Sequence, residues 1–201
     1  MKCRIGWILL LLLLSSGCTV QTKDPLSDPH TAELDKSLLG HWLCKEANGA
    51  EDIHLFIGRN RDKANPSALL EFTTINWDQR SEKLGELMPR SFATATKIGN
   101  SDYLNVIISK LNMDVPADKP FSYKKWEALE TRRVAIVRYE CDGQTLQLWS
   151  PEMDLKEVLV KSGQLKAEGN VVTTESLVKY LTDHGGETLF AGKSSTFTKV
   201  P

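Results

Sequence analysis

The chain has 201 residues, 41% of them apolar, and its 25 Lys and Arg nearly cancel its 26 Asp and Glu, for a net charge of −1 at pH 7. That length suits one domain with a proper core, and no internal repeat or low-complexity tract divides it. A near-neutral surface offers no field to neutralise phosphates, and that field supplies most of the affinity for nucleic acid, so nucleic-acid binding is excluded.

At the N-terminus, Lys2 and Arg4 flank the start of an apolar run from Ile5 to Leu14, and Ser15, Ser16 and Gly17 follow. Such a run is too short for a helix that must cross about 30 Å of hydrocarbon, which takes roughly 20 residues. A positive start, a short apolar stretch and small residues form a secretory signal over residues 1–17. Cys18 then resembles the invariant cysteine of a bacterial lipoprotein signal, with the departure that Ser15 stands where such signals usually carry Leu. The resemblance implies lipidation of Cys18, with a diacylglyceryl group on its sulfur and palmitate-type acyl chains. Thr19 in place of Asp after that cysteine implies transport to the bacterial outer membrane, with the domain on the periplasmic face. Loss of Lys2 and Arg4 takes the net charge from −1 to −3.

After Cys18 the chain reads "TVQTKDPLSDPHTAELD", with Pro25 and Pro29 among polar residues and no apolar periodicity. This predicts a flexible tether over residues 18–35 that holds a single β-rich globular domain, residues 36–201, about 20 to 25 Å from the lipid. His30 reads as solvated within it.

Eight short strands with turn residues between them come next, at 41–46, 52–59, 68–77, 90–98, 102–109, 132–141, 145–150 and 195–200. Asp142-Gly143 and the run "GNSD" at 99–102 are hairpin signs. The fold class is mainly β (α+β), an antiparallel eight-strand barrel or half barrel. Two helices are inserted before the last strand. Ser150 and Pro151 open the first, which packs Leu155, Val158 and Leu159 and ends at Gly163. The second starts near Thr174, buries Leu177, Val178 and Leu181, and carries His184 in its last turn, where a donor meets unpaired carbonyls.

The connection from Lys110 to Arg133 is longer than a hairpin needs, and such insertions often form lids or binding surfaces. In it Ser122 caps a short helix that gathers Phe121, Tyr123, Trp126 and Leu129 on one side. With Lys124, Lys125, Arg132 and Arg133 alongside, these four residues are candidate ligand- or partner-binding groups. The alternative is that they pin the insertion to the barrel.

Two thiols remain in the domain, Cys44 and Cys141, and outside the cytoplasm such a pair is expected to form a disulfide. Closing a loop of nearly 100 residues contributes about 4 to 5 kcal/mol in the chain-entropy model. A metal site from His41 and Cys44, or a reactive thiol, is the alternative. His41 and Cys44 fall on opposite faces of a strand, and no CxxC or HxxxH spacing accompanies them.

Gly40, His41 and Trp42 resemble the Gly-x-Trp opening of lipocalin-type barrels. The resemblance implies that Trp42 closes the barrel base under a basic residue from the last strand, a place Lys199 takes. Trp42 is therefore either a ligand contact or a core aromatic. The two helices before the last strand depart from the simple lipocalin order. The segments "YLNV", "VRYECDGQTLQLW", "SGQLKAE" and "FTKV" also resemble uncharacterised bacterial lipoproteins and secreted proteins, a likeness that implies no function.

No GxSxG elbow, phosphate or dinucleotide glycine loop, HExxH or CxxCH occurs, so no catalytic residue, metal or cofactor is expected. The reading is a lipid-anchored envelope protein that binds an apolar or amphipathic ligand or a partner protein. Its alternative is a structural or assembly factor of the envelope with no small ligand, and an enzyme comes third.

Overall fold

The computed structural model describes residues 19–45, 51–78, 81, 83–87, 90–108 and 121–201; the expected signal and Cys18 lie outside them. The chain opens on a short strand, β1 (Val20–Thr22), and a 3-10 turn, Lys36–Leu38, started by the Asp35 side chain accepting from Ser37 N. β2 (Gly40–Lys45), β3 (Glu51–Arg59), β4 (Leu70–Asp78), β5 (Lys83–Leu87), β6 (Ser91–Ile98) and β7 (Ser101–Ile108) follow. Then come α1 (Tyr123–Glu127), β8 (Arg133–Cys141), β9 (Thr145–Trp149) and α2 (Met153–Lys161). The chain closes with β10 (Ala167–Glu168), β11 (Val171–Val172), α3 (Thr174–His184) and β12 (Ser194–Lys199).

β2, β3, β4, β6, β7, β8, β9 and β12 pair in that order, all antiparallel, and β12 returns to β2 through Thr198–Leu43 and Lys199–Trp42. The result is a closed eight-stranded barrel. Each expected strand is present within two residues of its expected ends. Closure removes the sheet edges that an open meander would expose. The end where β2 begins is called the base here; β2, β4, β7 and β9 finish at the upper end. At the base, Gly143 takes φ +84°, and Asp142 Oδ1 accepts Gln144 N at 2.8 Å and Thr145 N at 2.6 Å, which fixes the β8–β9 register.

Residues of alternate parity feed two cores. Leu38, Trp42, Ile53, Leu55, Ile57, Leu70, Ala93, Leu104, Ala135, Val137 and Leu146 turn inward and pack the lumen. Their neighbours on β6, β7 and β8, including Phe92, Tyr103, Ile107, Val134 and Ile136, turn outward. There α1, α2, α3, the N-terminal segment and the connection from α3 to β12 cover them with Leu26, Trp126, Leu159, Leu177, Leu181 and Phe190. Burying each such side chain is worth roughly 1.5 to 3 kcal/mol, so a half-covered barrel gains stability from both faces.

Three expectations are corrected. Residues 19–35 are not a tether: β1 pairs with β8, Val20 and Thr22 are fully buried, and Asn105 Oδ1 accepts Leu26 N at 2.8 Å. Arg132 holds Asp24 at 2.7 Å, and the exposed His30 lies 4.0 Å from Glu127. The segment escapes pattern reading because its apolar anchors, Val20, Leu26 and the partly buried Leu34, stand six and eight residues apart and show neither helix nor strand periodicity. Second, the cap of α2 lies two residues later than Ser150, whose hydroxyl donates to Lys193 O; Glu152 is the N-cap, without a side-chain bond. Third, Cys44 and Cys141 are not bridged. Cys141 pairs with Leu146, Leu146 with Phe197, and Phe197 adjoins Cys44. Three strand steps amount to about 14 Å along the wall, against a Cα limit of about 7 Å for a disulfide.

Candidate functional site

At the base the chain builds a plug. Trp42 is fully buried and donates Nε1–H to Leu38 O at 2.8 Å, tying β2 to the 3-10 turn that precedes it. Lys199 Nζ lies 5.0 Å from the Trp42 ring centroid, a cation–π contact across the β12–β2 seam. Gly40 has φ +141°, a conformation that strains any L side chain, and a Cβ there would come within 2.9 Å of Lys199 Cε, which the flexible lysine would shift to relieve. Tyr139 donates its hydroxyl to Asp35 Oδ2 at 2.7 Å, and burial followed by that carboxylate pushes the phenol up from its ordinary value. Trp42 is thus a core aromatic of a closed base.

The upper end differs. On β7 the inward-facing Val106 and Ile108 are only partly buried, while the outward-facing Asn105 is 0% and Ile107 2% exposed. A barrel usually shows the reverse. Val106 stands between Ala93 and Ala135 in the register, and both of those short side chains are fully buried. Part of the apolar inner face is therefore reached by solvent at Val106 and Ile108. Lower down the lumen is filled, and the inward-facing Thr74 and Ser195 bury hydroxyls without a hydrogen-bond partner among the described residues.

Outside, β2, β3 and β4 leave an aromatic strip uncovered. His41 and His54 point outward, with His41 Nε2 and His54 Nδ1 2.8 Å apart in a shared hydrogen bond. His41 stacks on Phe56 at 4.3 Å, and Phe56 remains 38% exposed. Burial, and then the neighbouring His54, hold the His41 imidazole below its ordinary value. A second surface feature is an open groove of about 750 Å³ beside α3, lined by Lys166, Ser176, Lys179, Tyr180, Asp183 and His184. His184 Nδ1 lies 3.2 Å from Tyr180 O, so this histidine caps the last turn of α3 as its position implies.

The insertion residues do not join any of these places. Phe121 stacks on Phe92 at 4.1 Å, and Asn65 clamps the start of α1 through Phe121 O at 2.6 Å and Tyr123 N at 2.7 Å. Tyr123 is buried, Trp126 is 0% exposed, and Leu129 packs partly buried against the same outer core. Trp126 Nε1 has no hydrogen-bond partner among the described residues. These four side chains pin the insertion to the barrel; they are not a working surface. Sequence reasoning missed Val106 and Ile108 as accessible groups, since alternation shows which way a side chain turns and not whether the space it meets is filled.

The geometry defines a class: a closed up-and-down β-barrel, plugged at one end, with part of its inner wall accessible at the other. No protein-family model matches the chain, and no curated protein and no solved structure matches it. No helix among the described residues is long and apolar enough to cross a membrane.

Proposed function

We propose that the protein is a lipid-anchored envelope binding module that takes an apolar or amphipathic ligand into the upper end of its barrel. The reversed exposure on β7 carries this reading: Val106 and Ile108 face inward and are reached by solvent, while the outward side of the same strand is covered. Apolar wall left wet costs about 25 cal/mol per Å², and a ligand's apolar part removes that cost. The anchor at Cys18 rests on the signal-like N-terminus.

The test is titration of the mature protein with the neutral, environment-sensitive dye N-phenyl-1-naphthylamine. Its emission is expected to rise and saturate with the wild-type chain, to lose the saturable rise in Val106→Trp, and to keep it in Phe56→Ala on the outer wall. A folded wild type without saturable binding overturns the ligand reading. That outcome favours the second reading, an envelope structural or assembly factor, which the solid packing of Leu38, Trp42, Leu70 and Leu146 in the lower barrel supports.

A further inference from the structure

One edge of β8 is shared between two strands. From Arg138 to Cys141 it pairs with β9, Trp149 to Leu146, and from Val134 to Ile136 it pairs with β1, Thr22 to Val20. β9 continues to β12 and closes the ring, whereas β1 continues to β11 and β10. The wall therefore splits just above Trp149. Above the split, the place next to β8 belongs to the N-terminal strand.

We propose that this split is the membrane-facing side of the barrel, with the bilayer surface as its occupant. The inference rests on the lipid-anchored reading above and goes beyond it by fixing which face meets the lipid. Cys18 is bonded to Thr19, and Val20 is already a wall residue paired with Ile136. Acyl chains on Cys18 thus start within about 7 to 8 Å of chain from the split, two Cα steps.

β1 is not able to swing away without breaking several bonds. Thr22 Oγ1 donates to Asp24 O at 2.7 Å, Thr174 Oγ1 donates to the same oxygen at 3.1 Å, and Arg132 holds the Asp24 carboxylate at 2.7 Å. A domain on a long leash presents every face to the membrane, but one held from inside its wall presents one. One side chain at the split suits that place. The Arg138 guanidinium lies 4.4 Å from the Trp149 ring centroid and is ion-paired with Glu140, its side chain only 11% exposed, so the partly exposed Trp149 ring is the group here that suits the interface of a bilayer. On the inner side Gln21 pairs with Ala135 and Ala135 with Val106, so the accessible part of the lumen stands two strands from the anchor.

The experiment uses the lipidated protein, purified from bacterial membranes and reconstituted in phosphatidylcholine vesicles carrying a nitroxide headgroup lipid. One fluorophore is attached through p-acetylphenylalanine at Ser194, which pairs with Trp149 at the split, at Asn100 in the base hairpin, or at Phe56 on the far wall. Quenching is expected to be several-fold stronger at Ser194 than at the other two. A flexible Gly-Ser linker of tether length inserted between Cys18 and Thr19 should abolish that difference. Equal quenching at all three sites, or stronger quenching at Asn100 or Phe56, overturns the orientation while lipidation stands. Mass spectrometry of the N-terminal peptide separates the two ideas: a Cys18 without lipid overturns the anchored reading and the orientation with it.

Discussion

His41 is the residue whose chemistry depends most directly on its neighbours. Two imidazoles that share one hydrogen bond need at least one ring neutral, and burial already disfavours the charged form of His41. Because its folded value lies below the unfolded one, the unfolded chain binds more protons in the window between them, and stability rises with pH there. The contribution is complete above the ordinary value of 6.5 and is lost as the pH falls below it toward the folded value. Urea midpoints measured from pH 7.5 down to 5 should drop, and His41→Gln should flatten that drop. A wild-type midpoint that holds or rises on acidification rules the account out. Some of this was readable in advance: His41 and Cys44 do fall on opposite faces of β2, and Lys199 does lie over Trp42. The His41–His54 pair was not, because it requires the β2–β3 register, and one strand's alternation leaves the neighbour's offset open.

Among the elements, the strands were legible and the N-terminal segment was not. Runs such as Leu70–Asp78 and Arg133–Cys141 carry β-branched and aromatic residues between turn signals, so local pattern and tertiary pairing agree. β1 has three residues, too few for a visible alternation, and the Asp24-Pro25 turn that follows it reads as loop; its structure comes from long-range partners. Asn105 is the chief of these. Its Nδ2 donates to Thr94 O at 3.1 Å and Thr96 Oγ1 at 2.8 Å while its Oδ1 accepts Leu26 N, so a single buried amide joins β6, β7 and the segment after β1. Removing it strands buried backbone groups, each at about 1 to 3 kcal/mol. Asn105→Ala should therefore lower stability by about that amount and raise hydrogen exchange of the Leu26 amide more than that of the β3 and β4 amides. Uniform exchange across all strands would mean that the segment folds and unfolds with the barrel and is not held by Asn105. The two readings left open for the insertion have the same origin: Trp126 at helical spacing looks alike whether it faces solvent or packs in the outer core with Phe121 and Phe92.

For the molecule as a whole, the question is what joins the first strand to the last. Here β12 pairs with β2 and with β9, so the ends of the barrel are joined by hydrogen bonds and by Lys199 on Trp42. A crosslink between Cys44 and Cys141 would restrain the unfolded chain by about 4 to 5 kcal/mol in the entropy model. The register places two strands, β9 and β12, between them, and drawing their Cα atoms to within about 7 Å would collapse the lumen wall through Leu146 and Phe197. Strain on that scale outweighs the entropic gain, since a packed core resists displacement of even a methylene group. The mature domain taken from an oxidising compartment, unfolded without reductant and alkylated with iodoacetamide, should therefore gain two carbamidomethyl groups at Cys44 and Cys141. Its melting temperature should be the same with and without reductant. A mass without label at either thiol, together with a lower melting temperature in reductant, would show that the chain bridges them and that β9 and β12 do not separate them in the folded barrel.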